Sequence, residues 1–269
     1  MNRRQHATEI EATLILMPDR VEAVLQPLRA LTSIAGYRLR PGKTQRIHDL
    51  YLDTVDAALR QQDLALRVRR VDSARLIALK GKSRRRGAGE IERLELERPW
   101  SLDALAEILQ ALADNGIELR PSAMGPADGE PEAVLDKAGL VIVQERDTQR
   151  MLRDVFAREQ DGHRLVGELA IDKSIYHIGG RDVRHDEIEL EGKVPGAFPG
   201  LNAVVEALLK RFGPAVRRWE HSKLATGHAI AKLLQHDAPL VLDGSGRLPP
   251  DAYTAIDRYL KQASSTPLQ

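Results

Sequence analysis

The chain predicts an α+β fold, an antiparallel β-sheet or barrel with helices laid against it. Three observations carry this. Eight stretches alternate apolar and polar residues with the period of two that a half-buried strand requires. Short turn-forming segments ("RPGK", "RRRGAG", "QDG", "IGGRD") connect them, and short connections make neighbouring strands antiparallel. Between them lie segments whose apolar residues fall on one helical face.

In order, strands are expected at 8–16, 46–54, 64–71, 75–82, 90–100, 150–159, 164–178 and 185–193. A helix is expected at 19–31, with Asp19 near its start and Pro27 positioned to kink or end it. Another spans 101–116, opened by Ser101 as N-cap and stopped by Gly116. Further helices are expected at 199–213, 220–236 and 250–262, with a surface loop at 117–131. These elements divide into a principal domain over 1–236 and a linker with a helical appendage over 237–269.

Composition narrows the function. The 269 residues are 29% charged yet carry a formal net charge of +1, which argues against a general nucleic-acid binder. Aromatic residues are only 4%, too few for a base-stacking platform. With no cysteine, disulfides and thiolate metal sites are excluded. No apolar run has the ~20 residues needed to span a bilayer, and "MNRRQHATEI" lacks a secretory h-region. The expectation is a cytoplasmic protein, monomeric or homodimeric, without a nucleic-acid or membrane partner.

Sorting each strand by parity gathers the charges. Glu9, Glu11 and Thr13 share one face; so do Arg67 with Arg69, Arg93 with Glu95 and Glu97, Glu168 with Asp172, and Glu187 with Glu189 and Glu191. Lys80 lies opposite Leu79. On pattern alone two readings are open. The charged faces can meet solvent, the commonest arrangement for an antiparallel sheet. Alternatively the sheet curls around them, in which case they must be paired or hold ions. A polyanion carrying divalent cations would suit the second: bases hold its phosphate oxygens and carboxylates hold the metal.

Ordered motifs sharpen this. "EIEAT", "LYLDT…LRQQDLALRVRR", "ALKG", "ERLELE", "RDTQR", "ELAID", "DEIELE" and "EHSKLATG" together cover about residues 5–232, and in this order the chain resembles the CYTH superfamily, the triphosphate tunnel metalloenzymes. The resemblance implies a closed eight-stranded antiparallel β-barrel with flanking helices and charged side chains pointing inward. It implies hydrolysis of a triphosphate with Mg²⁺ or Mn²⁺. Carried over by residue, Glu9, Glu11, Glu187 and Glu189 would bind metal, with Glu95 and Asp172 holding bases or metal waters. Arg67, Arg69, Lys80 and Arg93 would clamp phosphate oxygens, joined by Arg150 and Lys223. Glu9, Glu11, Lys80, Arg93 and Glu189 would be catalytic.

One position departs from the family pattern. Thr13 stands where the motif has lysine. Either another base (Arg46 or Lys82) compensates, or the substrate differs, or the chain binds polyphosphate without efficient hydrolysis. The favoured activity is cleavage of inorganic tripolyphosphate to pyrophosphate and phosphate, because the sequence offers little to read a base. The alternatives are a class IV-type adenylyl cyclase and a non-catalytic polyphosphate-binding module. His48 and His185 border the strands and have a lesser claim on the interior. Trp100 and Trp219 read as packing residues, and the arginines at 84–86 as a solvated turn.

Overall fold

The computed structural model describes residues 11–86, 90–119, 130–160, 162–194, 196–235 and 240–265. Along the chain, β1 (Glu11–Leu16) leads through α1 (Val21–Ala30) to the short β2 (Ser33–Ile34) and the long β3 (Tyr37–Thr54). A single helical turn, α2 (Ala58–Gln61), precedes β4 (Ala65–Val71), β5 (Ala74–Arg86) and β6 (Glu90–Pro99). Helices α3 (Leu102–Ala113) and α4 (Pro131–Lys137) follow, then β7 (Leu140–Glu159), β8 (Gly162–Ile178) and β9 (Arg181–Gly192). The chain continues through α5 (Phe198–Phe212), β10 (Val216–Trp219), α6 (Lys223–Gln235) and α7 (Ala252–Ser265). No described helix is long and apolar enough to cross a membrane.

The strands pair in the order β10-β1-β9-β8-β7-β3-β4-β5-β6, with β2 on β3. This corrects the expected closed eight-stranded barrel: among the described residues the sheet has ten strands and an open order. Closure requires the first and last strands to share a ladder, and β10 and β6 stand at opposite ends of the order, each with one neighbour in it. The described residues separate into two compact units, one within 46–147 and one within 11–45 together with 148–265. Strands β3 and β7 contribute residues to both.

In the first unit the antiparallel register sets Asp49 opposite Arg69 and Tyr51 opposite Arg67. Paired residues share a face, so Leu50, Leu52, Leu66, Val68, Ile77 and Leu79 fall on the other. That face is buried with Ala104, Leu105, Ile108 and Leu112 of α3 and with Val134 and Leu135 of α4. The α3 stripe is held at its start by Ser101, whose hydroxyl accepts from the Ala104 N–H at 3.1 Å. Asp53 closes α2 by accepting the N–H groups of Thr54, Leu59 and Arg60. The short α4 begins at Pro131, where the expected surface loop ends.

In the second unit β1 lies between β10 and β9, and β8 pairs with β9. Leu14, Leu16, Leu169, Ile171, Ile188 and Leu190 face α1 and α5, whose Leu25, Leu28, Leu201 and Val204 complete a buried core. A separate cluster joins Ile15, Tyr176 and Trp219 to Ile230 of α6 and to Tyr253 and Ile256 of α7. The "RPGK" segment, expected as a turn, lies inside β3. Gly42 explains how: a Cβ there would meet the Leu152 carbonyl oxygen at 3.0 Å, so the missing side chain permits close backbone approach. Helix α1 contains Pro27 and ends at Ala30. The buried guanidinium of Arg153 donates to the carbonyls of Leu28, Arg29 and Leu31, satisfying acceptors that a helix end leaves open.

Candidate functional site

In the second unit, the alternation of β8 and β9 converges three carboxylates. Asp172 and Glu187 are register partners, and Glu189 lies two residues further along β9 on the same face. One oxygen from each lies within 4.8 Å of the others. Like charges at such spacing are tolerable because two bases are built among them. Arg150 of β7 grips Asp172 with two donors, Nε at 2.8 Å and Nη2 at 2.6 Å, and its Nη2 also reaches Glu189. Lys223, the first residue of α6, places its ammonium against all three carboxylates, 3.1 Å from Asp172 Oδ2. Burial pushes the Asp172 carboxyl up, but Lys223 and Arg150 outweigh it and hold the group well below the usual carboxylate range.

This set fits a hard divalent cation. Its donors are all carboxylate oxygens, the ligand type such ions prefer. Three carboxylates against two bases leave a negative excess. The buried Glu187 Oε1 meets the Lys223 ammonium, a tethered cation already seated among the ligands. Solvent reaches Glu189, at 19% side-chain exposure, far more than Asp172 at 0% or Glu187 at 1%.

The first unit carries the opposite arrangement. Asp49 is fully buried and is shared by three guanidiniums. Arg69 donates to it at 2.6 and 2.9 Å, Arg146 donates to Oδ2, and Arg67 Nε lies 3.9 Å away. Arg67 also donates to Glu97 at 2.9 Å. Burial alone would raise the Asp49 pKa, but the three arginines hold it far below its ordinary value. The Tyr51 phenol, which burial alone would raise, is lowered by Arg146 and Arg67, and the Arg146 guanidinium stands 5.5 Å from its ring centre. Here the excess is positive, which suits an anion.

The sequence matches the CYTH domain over residues 21–211, well over half of the chain. The chain belongs to the CYTH family. Among solved structures it is similar to a candidate adenylyl cyclase from Hippeastrum described with a dominant triphosphatase activity. That likeness has 23% identity, covers 82% of this chain and 95% of that one, and has a TM-score of 0.52. It is also similar to an adenylate cyclase candidate from Bacillus halodurans, with 18% identity, 80% and 94% coverage and a TM-score of 0.44. At these identities the first likeness is one of fold, and the second adds no argument. Among curated proteins none matches this chain.

The structure brings together Arg150, Asp172, Glu187, Glu189 and Lys223 of the residues that the CYTH motifs singled out, and, in the other unit, Arg67 with Arg69. Lys80 is the register partner of Ala65 and of Glu95, on the face that carries Arg67. Glu11 pairs in register with Glu191, two residues along β9 from Glu189. Glu9 lies outside the described residues; Arg93 and Glu95 lie in β6, but their side chains are outside the described ones. Thr13 is the register partner of Glu189. The bases that face Glu189 are Arg150 and Lys223, so cations already attend the carboxylate beside Thr13. The sequence reading missed Asp49 and Arg146 and gave His185 only a lesser claim on the interior. Both missed residues had a signal: Asp49 alternates with Tyr51 and Asp53, and Arg146 opens the "RDTQR" stretch from which only Arg150 was taken.

Proposed function

We propose that the chain is a divalent-metal-dependent triphosphatase that hydrolyses inorganic tripolyphosphate to pyrophosphate and phosphate. The observation that carries this reading is the trio of Asp172, Glu187 and Glu189, the first two buried, with Arg150 and Lys223 built into it. The trio would hold Mg²⁺ or Mn²⁺, which when bound supplies positive charge to a phosphoryl oxygen and lowers the pKa of an attached water.

The chain's own residues do the rest. Arg150 and Lys223 offer N–H donors to phosphate oxygens, which carry the charge that develops as the bridging P–O bond breaks. Glu189, the solvent-reached member of the trio, is placed to accept a hydrogen bond from an attacking water. Arg67, Arg69, Lys80 and Arg93 keep their role as bases for phosphate oxygens, and Glu9, Glu11 and Glu95 theirs as metal-side carboxylates. The substrate class is a small triphosphate, and the compartment is the cytoplasm.

The test is phosphate release from tripolyphosphate, ATP and thiamine triphosphate, in Mg²⁺ and in Mn²⁺, for wild type and Glu189→Gln. The expected result is metal-dependent turnover of tripolyphosphate, reduced about 100-fold or more in the variant, the scale seen for loss of one electrostatic catalytic group. Cyclic AMP from ATP would replace the reading with a cyclase. Tight tripolyphosphate binding without turnover would leave a binding module.

A further inference from the structure

Beyond the trio, one buried polar chain runs from it into the C-terminal helix. Glu187 Oε2 meets His185 Nε2 at 2.8 Å, and His185 Nδ1 meets the Tyr253 hydroxyl at 2.9 Å. His185, Glu187 and Tyr253 are each 1% exposed, so water does not replace these bonds. With the imidazole neutral and the carboxylate ionised and accepting, Nε2 carries the imidazole proton toward Glu187 and Nδ1 accepts from the phenol. Burial, then the nearby Asp186, push the Tyr253 phenol above its ordinary range, which keeps it a donor. The donor direction therefore runs one way, from Tyr253 through His185 to Glu187.

The surrounding segment is built to keep Tyr253 in place. Tyr253 packs edge-on to Trp219, with ring centres 5.7 Å apart. His221 bonds Asp257 of α7 at 2.8 Å. Upstream of α7, the Arg184 N–H donates to the Gly246 carbonyl at 2.8 Å and Arg247 donates to Asp186 at 2.7 Å. Gly246 has φ +80°, and a Cβ there would collide with the Asp182 carbonyl oxygen. The matched CYTH segment ends at residue 211, so α7 and the loop before it lie outside it.

We infer that His185 and Tyr253 are positioning residues for the metal site: they lock one oxygen of Glu187 so that the other points into the carboxylate trio, and α7 is thereby part of the site's support. This rests on the metal-binding reading of the trio. Hydrogen-bonded partners behind a ligand fix its orientation, and losing them typically weakens metal binding by about 10–100-fold.

The experiment is calorimetric titration of Mn²⁺ into the full chain, with metal-free melting recorded alongside. The variants are His185→Leu, His185→Gln, Tyr253→Phe and Glu187→Gln. His185→Leu should raise the Mn²⁺ Kd by about 10–100-fold, and Tyr253→Phe, which removes one oxygen only, by a smaller factor. His185→Gln, which keeps a donor toward Glu187, should restore most of the affinity lost in His185→Leu, a rescue that packing alone would not give. Should His185→Leu fail to fold, Tyr253→Phe decides. Wild-type affinity in Tyr253→Phe and His185→Leu, with binding lost in Glu187→Gln, would overturn the positioning role and leave the metal site standing. No Mn²⁺ binding by wild type would overturn the metal reading and this inference with it.

Discussion

The two units solve the same physical problem with opposite signs. Each buries a group of charges, and each pairs most of them internally. In the first, three guanidiniums share one carboxylate, Asp49. In the second, three carboxylates share two bases, Arg150 and Lys223. Burying unpaired charge costs several kcal/mol per ion, so neither excess is an incidental product of strand alternation. The uncompensated sign of each group suits a different ion: an anion in the first, a cation in the second.

The largest expected effect comes from removing the shared acid. Asp49→Ala strips a single carboxylate from three guanidiniums and should destabilise the protein by about 3–5 kcal/mol in urea unfolding. Asp172→Asn leaves Glu187 and Glu189 to serve the same bases, and should cost less, about 1–3 kcal/mol. Equal losses would break the contrast between one shared acid and three.

Metal should act on one group alone. Mn²⁺ at about 100 times its Kd should stabilise the wild type by about 2.7 kcal/mol. That gain should vanish in Glu187→Gln and survive in Arg69→Met. A melting shift that persists in Glu187→Gln would place the cation elsewhere.

Acid titration sharpens the comparison further. Asp49 and Asp172 are both held below the ordinary carboxylate range in the folded protein. Their contribution to stability is complete above the unfolded value, near pH 4, and is lost as pH falls from there toward the folded values. Asp49→Asn has lost this group's linkage, so its stability should decline less than that of wild type between pH 5 and pH 2.5, in buffers of about equal ionic strength. Parallel curves would contradict the assignment.

The smallest effect is expected at Thr13. Thr13→Lys restores the family's base at the register partner of Glu189, which Arg150 and Lys223 already attend. Its effect on stability should stay within about 1 kcal/mol in either direction, as for partly solvated pairs. A loss of several kcal/mol in thermal or urea unfolding would mean that this face has no room for a third cation.

What the sequence made legible was local. Alternation gave the faces correctly because period two fixes which side chains share a side, and Asp172, Glu187 and Glu189 meet through that rule. Motif order supplied Arg150 and Lys223, whose partners are 22 and 34 residues away. The open ten-stranded order was not legible, since edge pairing is a non-local property that no strand's own pattern encodes. The passage of β3 through "RPGK" was hidden for a related reason: Pro-Gly reads as a turn unless the close approach of Leu152 is known. His185 and Tyr253 lie 68 residues apart and carry no spacing signal.

The most direct test of the account is the rate of phosphate release from tripolyphosphate as a function of Mn²⁺ concentration, in wild type, Glu189→Gln and Arg69→Met. The account predicts that Glu189→Gln loses turnover at every metal concentration, while Arg69→Met raises KM for tripolyphosphate with its metal requirement unchanged. Turnover that withstands a chelator, or one identical response in both variants, would contradict it.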